Sequence, residues 1–361
     1  MAIFIGVDEA GYGPNYGPLC VAASAWRVEE KGDGGGRKAE GGRGTGDGKR
    51  GTVGLAVAKP RATVARKKAS GVPDLYKLLR KAVARAPDKA GRRIAIADSK
   101  ALYTAGLGLR QLERGVLAAM RVLEHEIATA LDLISAMAAD PEGRRHRLAC
   151  HAGDDDGLPL EVAADELAAA VMLLQGACSN SGVSLVALRA RLVYPCEFNA
   201  LCGELGTKGA ALSHATLALV RQVIDSLPAA DCSTPIVILL DKHGGRSRYA
   251  ALVQHHFPEC WIDVIAEARA ESRYVWEHGG RRVEAAFRVA CEEFLPTALA
   301  SMTAKYQREL AMRAFNAFWT SRVPGLRPTA GYPSDSGRFR KAISGVQAEL
   351  GILDRDVWRS R

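Results

Sequence analysis

The sequence predicts an α/β fold, with a mixed central β-sheet whose first strands are antiparallel, helices on both faces, and a helical extension over residues 320–361. Three observations carry this. Apolar runs at residues 3–7 and 235–240 have the β-branched composition of buried strands. They end in carboxylates, Asp8 with Glu9 in one case and Asp241 in the other, each followed by a glycine turn. Between and after them lie amphipathic segments with helical spacing.

Taken in order, residues 19–28 read as a second strand, reached through a turn short enough for an antiparallel neighbour. Residues 32–54 alternate glycine with charge and carry almost no large apolar side chain, so they cannot offset their own ordering entropy. The whole of 31–72 is therefore expected to be a disordered basic insert. Residues 74–83 have a short helical period, 93–97 form a compact strand, and 109–133 read as one long helix with Leu112, Val116, Ala119, Leu123 and Ile127 on one face. Residues 138–158 are polar, and Asp154 to Asp156 there fit a solvated loop better than a metal loop, because the spacing is not that of a calcium-binding loop. A helix over 162–177, a strand over 183–193 and a helix over 208–227 follow. After the strand at 235–240, strands at 261–266 and 282–291 lead to helices at 297–320 and 338–350.

At 361 residues, 48% of them hydrophobic, the chain has ample material for a core, and it is expected to form a single catalytic domain around the insert. No apolar run reaches the ~18 residues of a membrane span, and the N-terminus lacks a signal-peptide layout, so a cytoplasmic protein with no membrane partner is expected. The eight cysteines contain no C-x-x-C pair, which gives no zinc or redox motif and points to reduced thiols. The net charge of +9 sits mostly in one place. From Lys31 to Ala69, eleven Lys or Arg face three acids, a surplus of eight that leaves +1 for the rest. The basicity thus describes the insert, not a basic groove on the folded body.

Asp8 and Glu9 are adjacent, and successive strand side chains point to opposite faces. Both can serve one site only where the strand ends or bends, which Gly11, Gly13 and Gly17 permit. Asp241 repeats the pattern at a second strand end, the usual place for ligand sites in open α/β sheets. His243, two residues on, is a candidate for proton relay or product release, against the plainer expectation of an exposed histidine in a glycine turn.

With these pieces in order, the chain resembles the type 2 ribonucleases H: ribonuclease HII, ribonuclease HIII and the eukaryotic H2 catalytic subunit. The resemblance rests on Gly6-Val-Asp-Glu-Ala-Gly11, Asp98-Ser-Lys100, the strand ending in Asp241, residues 267–273, Leu299-Ala-Ser-Met-Thr-Ala-Lys305 and Gly331-Tyr-Pro333, all in the family's order. Tyr12 stands where bacterial members usually have arginine. Glu271 stands where the fourth carboxylate is usually aspartate, and Glu309 likewise follows the Lys305 segment in place of aspartate.

The resemblance implies a ribonuclease H-like fold and a metal-dependent endoribonuclease that cuts the RNA strand of RNA/DNA hybrids, including isolated ribonucleotides in duplex DNA. The products would carry a 3′-hydroxyl and a 5′-phosphate, and a monomer is expected. It also implies a site of two Mg²⁺ or Mn²⁺ held by Asp8, Glu9, Asp241 and Glu271, with Glu267 as the alternative fourth ligand. Four converging negative charges need such neutralisation. For Asp241 and Glu271 the competing expectation is a turn cap or an ion pair with Lys242 or Arg273. Backbone groups of Gly11, Tyr12 and Gly13 would sense the ribose 2′-hydroxyl, Tyr332 would stack on a sugar, and Lys100 and Lys305 would contact phosphates. The rival readings are a catalytically weakened nucleic-acid-binding protein on the same scaffold, or a nuclease of this fold for another structured nucleic acid.

Overall fold

The computed structural model describes residues 1–29, 72–88, 91–103, 108–138, 149–151, 156–228 and 232–360. The chain divides into two units, one made of Met1–Glu30 with Asp74–Arg361 and the other of Lys31–Pro73. The expected basic insert therefore lies, up to residue 71, outside the described residues, as do Asp154 and Asp155.

The larger unit is built on a seven-stranded sheet. Its strands are β1 (Ala2–Ala10), β2 (Leu19–Val28), β5 (Val183–Val193), β6 (Ile236–Asp241), β7 (Asp263–Glu267), β8 (Glu271–His278) and β9 (Arg281–Arg288), with β3 (Val83–Ala84) and β4 (Ile94–Ala95) forming a separate parallel pair. The order across the large sheet is β5-β2-β1-β6-β9-β8-β7. β1 runs antiparallel to β2 and parallel to β6, and β6 runs parallel to β9. This is the mixed sheet with antiparallel first strands that the sequence predicts.

Period-two alternation sorts the strand side chains between two cores. Ile3, Ile5 and Val7 of β1, with Val21, Ala23 and Ala25 of β2, pack against α7 (Lys208–Asp225) and α8 (Ala250–His256). Cys20, Ala22 and Trp26 point the other way, toward α3 (Arg110–Val122), α5 (Ala164–Ser181) and α9 (Leu295–Thr320). Gly6 falls on that second face. A Cβ there would lie 2.0 Å from the backbone nitrogen of Thr297, so only glycine lets the first turn of α9 rest directly on β1. Ser24 fixes the same junction by donating its hydroxyl to the carbonyl of Pro296 at 2.7 Å.

The expected helix over 109–133 is two helices, α3 and α4 (Ala130–Met137). Glu124 takes a left-handed φ of 63°, and Thr129 with Asp132 forms a capping box that starts α4 afresh. Sequence reading also passes over β8, α8 and α6 (Pro195–Leu205), the last begun by Pro195 in the first turn and closed by left-handed Gly206. The segment over 74–83 is a single turn, α1 (Leu75–Leu78), and α2 (Ser99–Leu102) is capped by Asp98. Past α9, α10 (Pro333–Glu349) and α11 (Asp354–Val357) close a third apolar cluster with Tyr16, Phe315, Trp319, Phe339 and Ile343. All eight cysteines are free thiols. Among the described residues no helix is long and apolar enough to cross a membrane.

Candidate functional site

Register brings the first acids together. Val7 pairs with Leu240 in the parallel β1/β6 ladder, so Asp8 and Asp241 occupy the next position at neighbouring strand ends. Asp8 is buried, accepts from the hydroxyl of Ser301 on α9, and its Oδ1 accepts the Glu9 backbone N–H at 2.8 Å. Past Val7 the ladder to β6 stops while β1 continues beside β2 to Ala10. The β6 side of this strand end is open, which is the condition under which Glu9 can share the site.

Glu9 is near enough to Asp8, Asp241 and Lys100 for their charges to act on one another. Burial, the neighbouring Glu9 carboxylate and Glu292 hold the Asp8 carboxyl well above the usual range, against the hydrogen bonds that lower it. Burial and then Asp241 push Glu9 up to about 7, with Lys100 opposing and Glu292 adding to the rise. Asp241 rises to about 6, chiefly by burial, although the Cys291 N–H donates to it. Asp241 and Glu292 also share a side-chain hydrogen bond, which requires a proton on one of the two carboxyls. Lys100, the cation facing this group, is raised by Asp98 first and then by Asp8, Glu292 and Glu9.

Glu292, which the motifs do not single out, interacts with Asp241, as Glu271 is expected to. Glu271 opens β8 and lies in register with Arg288 of β9, which itself pairs with Asp241. Two inter-strand spacings, about 10 Å, therefore separate Glu271 from Asp241, with Arg288 between them. The Glu271 carboxylate is spent on ion pairs to Arg288 at 3.1 Å and Arg273 at 3.9 Å. Glu267 is no substitute, because it accepts from the Tyr274 hydroxyl at 2.6 Å and faces Arg248. Glu292 reaches the site from a short 3-10 turn, Cys291–Glu293, entered through Ala290 at a left-handed φ of 63°.

The proposed ribose-sensing turn is held from below. Gly11 has φ 85°, and a Cβ there would lie 2.3 Å from Nε of Arg308. Arg359 is fully buried; its Nη2 donates to the carbonyl of Gly11 at 2.6 Å and to that of Pro14. Tyr332 is half exposed, and its Cε1 lies 3.9 Å from where a Cβ on Gly13 would stand, so the turn and the tyrosine share one surface. Tyr12 projects toward Gly209 at the start of α7 and is 36% exposed. Lys305 is engaged with Glu309 at 2.5 Å and lies 4.4 Å over the Tyr103 ring.

His243 is not exposed. It is buried behind the strand end, with Nδ1 3.0 Å from the Ser213 hydroxyl and its backbone N–H donating to Tyr249, and burial pushes it down to about 4. The imidazole is enclosed by Ser213 and Tyr249 and does not face solvent, contrary to the expected exposed position. Lys242 does not pair with Asp241. It donates to the Ala268 carbonyl and the Ser272 hydroxyl, tying the β6 end to the β7/β8 hairpin.

The donors are all carboxylate oxygens on rigid strand ends and one tight turn, a set suited to hard divalent cations such as Mg²⁺ and Mn²⁺. Burial first, and then neighbouring carboxylates, raises Asp8, Glu9 and Asp241, and divalent cations satisfy that electrostatic demand. These residues fit the group.

No family model matches the chain, and no curated protein does. Among solved structures, the chain is similar to the crystal structure of the ribonuclease H2 from Pyrococcus horikoshii OT3, with a TM-score of 0.43 and 15% identity over 98% of this chain and 92% of that one. It is also similar to the structure of the PCNA:RNase HII complex from Archaeoglobus fulgidus, with a TM-score of 0.37 and 13% identity over 99% and 94%. At those scores the fold description rests on the chain's own strand order and register.

Proposed function

We propose that the chain is a divalent-metal-dependent endoribonuclease that hydrolyses the RNA strand of RNA/DNA hybrids, including isolated ribonucleotides in duplex DNA, and leaves a 3′-hydroxyl and a 5′-phosphate. The observation that supports the reading is the placement of Asp8 and Asp241 at neighbouring positions past the β1/β6 ladder, where burial first and then nearby carboxylates, Glu9 and Glu292 among them, raise both carboxyls. The sequence motifs Gly6–Gly11, Asp98–Lys100 and Gly331–Pro333 supply the substrate class.

Bound divalent cations would activate the attacking water and stabilise the leaving oxygen. Asp8 and Asp241, fixed at adjacent strand ends, are the side chains best placed to hold them, with Glu9 and Glu292 on either side. Lys100 places a positive charge beside this group, where it favours a phosphate over bulk water. The Gly11–Gly13 backbone and Tyr332 form the neighbouring surface for the sugar, which suits recognition of a 2′-hydroxyl by backbone groups.

The test is cleavage of an end-labelled RNA/DNA hybrid and of a duplex with one embedded ribonucleotide, in Mg²⁺ and in Mn²⁺. Cleavage at ribonucleotides, abolished by Asp8→Asn, is expected. Tight binding without turnover in either ion would overturn the reading and leave a binding protein on this scaffold.

A further inference from the structure

Away from the acidic site, three histidines meet on the opposite face of the sheet. His214 lies on α7, and His255 and His256 form the last residues of α8. Their ring centroids form a nearly equilateral triangle, 4.8 Å from His214 to His255, 5.1 Å from His214 to His256 and 5.0 Å from His255 to His256. One ring nitrogen from each of the three lies within 4.8 Å of the other two. We propose that His214, His255 and His256 form a binding site for one borderline divalent transition ion of the Zn²⁺ class, separate from the acidic site.

One pair already stands at the spacing a metal needs. Two imidazole nitrogens bound to one tetrahedral Zn²⁺ at about 2.0–2.1 Å stand about 3.3 Å apart. Nε2 of His256 and Nδ1 of His214 are already 3.2 Å apart. In the metal-free protein that contact uses one proton, so one ring is the donor and the other the acceptor. Binding requires the donor to shift to its other tautomer, so that both present lone pairs while their remaining nitrogens keep the protons. His255 is exposed and closes the triangle by a side-chain rotation, which leaves the fourth tetrahedral position to water.

The support is rigid. The His256 carbonyl accepts from Nη1 of Arg221 at 2.8 Å, and Gln254 donates to the carbonyls of Phe257 and Cys260, which ties down the turn that follows α8. Burial and the crowding of His214 and His255 push His256 down to about 4, so no proton has to leave it at neutral pH. Glu204 supplies a negative charge near His214, against the nearby Arg246. A second candidate cluster, Glu259, Cys260 and His278, is already satisfied, because Glu259 pairs with Arg221 and Nε2 of His278 lies 2.7 Å from Asp225.

Titration of the full chain with Co²⁺ in excess Mg²⁺ tests this. One equivalent with the visible absorption of tetrahedral Co²⁺, and without a near-ultraviolet thiolate band, is expected. His255→Ala, whose side chain is exposed and whose loss spares the fold, should weaken Co²⁺ binding by about 10-fold or more. His214→Ala should do the same, while Cys260→Ser and Asp8→Asn leave binding unchanged. Zn²⁺ should raise the melting temperature of the parent chain and not of His255→Ala. Binding that survives both histidine variants, or that disappears with Cys260→Ser, overturns the assignment. Cleavage of hybrid in Mg²⁺ by His255→Ala at the parent rate separates this site from the acidic one.

Discussion

The backbone N–H of Cys291 donates a 2.7 Å hydrogen bond to Oδ1 of Asp241, and through it the turn that carries Glu292 is fastened to the end of β6. The same residue adds a second tie, from its thiol to the Leu240 carbonyl at 3.1 Å. Glu292 is thereby presented to Asp241 by backbone geometry, whereas Glu271 is kept from it by Arg288. Glu292→Gln should therefore reduce hybrid cleavage by about 10²-fold or more, since losing a metal-holding carboxylate is worth several kcal/mol of barrier. Glu271→Gln should leave the rate within a few-fold and cost only the ion pair to Arg288. The reverse order of effects in single-turnover rates would restore Glu271 to the site.

Metal binding and pH should be linked through the same acids. Glu9 is raised to about 7 and Asp241 to about 6, so the folded, metal-free protein holds more protons than the unfolded chain between those values and the ordinary carboxylate range. Their contribution to stability is fully present below the unfolded pKa and is lost as pH rises through the folded one. The melting temperature of the metal-free parent should accordingly fall between about pH 4 and pH 7 relative to that of a Glu9→Gln, Asp241→Asn double variant. Mg²⁺ should reverse the loss above pH 7 in the parent alone. Parallel melting curves for the two proteins, with and without Mg²⁺, would show that the acids do not interact as described.

Which of these acids the sequence discloses follows from how each is presented. Asp241 ends β6, and Asp8 and Glu9 lie near the end of β1, just past its ladder to β6; a buried strand is visible as a β-branched run stopped by glycine. Glu292 follows a left-handed alanine inside a 3-10 turn, a conformation that no periodicity announces. Glu271 misleads because it lies near a predicted strand in the chain, while pairing places it one strand beyond Arg288. The split of residues 109–133 had a readable signal in the Thr129 to Asp132 capping box, hidden by apolar spacing that runs through both helices. His243 reads as a turn residue until Ser213 and Tyr249, far apart in the chain, enclose it.

Gly6 should be among the least replaceable residues in the fold. The added methyl of Gly6→Ala would meet Thr297 N at 2.0 Å and the Pro296 carbonyl carbon at 2.2 Å, both backbone atoms that no rotamer change can move. Relief requires α9 to lift from β1, which would also draw Ser301 away from Asp8. A loss of about 1–3 kcal/mol in urea unfolding is expected, with weaker Mg²⁺ binding in the protein that remains folded. Parent-like stability would show that α9 rides higher on the sheet than described.

Arg359 should act on the substrate side of the site through the glycine turn. Its Nη2 donates to the carbonyls of Gly11 and Pro14, its backbone N–H donates to the Asn15 carbonyl at 2.8 Å, and its guanidinium stands 4.8 Å over the Phe198 ring. It is a buried cation beside Arg308, and burial followed by that neighbour pushes it down to about 9. Such a charge is tolerated because those turn carbonyls need its donors, so removing it leaves them unpaired. Arg359→Ala is expected to cost about 1–3 kcal/mol of stability and, because the Gly11–Gly13 backbone loses its fixed aim, to raise KM for a hybrid more than it lowers kcat. Arg359→Lys, which keeps the charge but sets it on a shorter stem without the planar guanidinium that places Nη2 under both carbonyls, should recover stability more than KM. Equal recovery of both by lysine, or a change in kcat alone, would show that the turn does not depend on this residue for its shape.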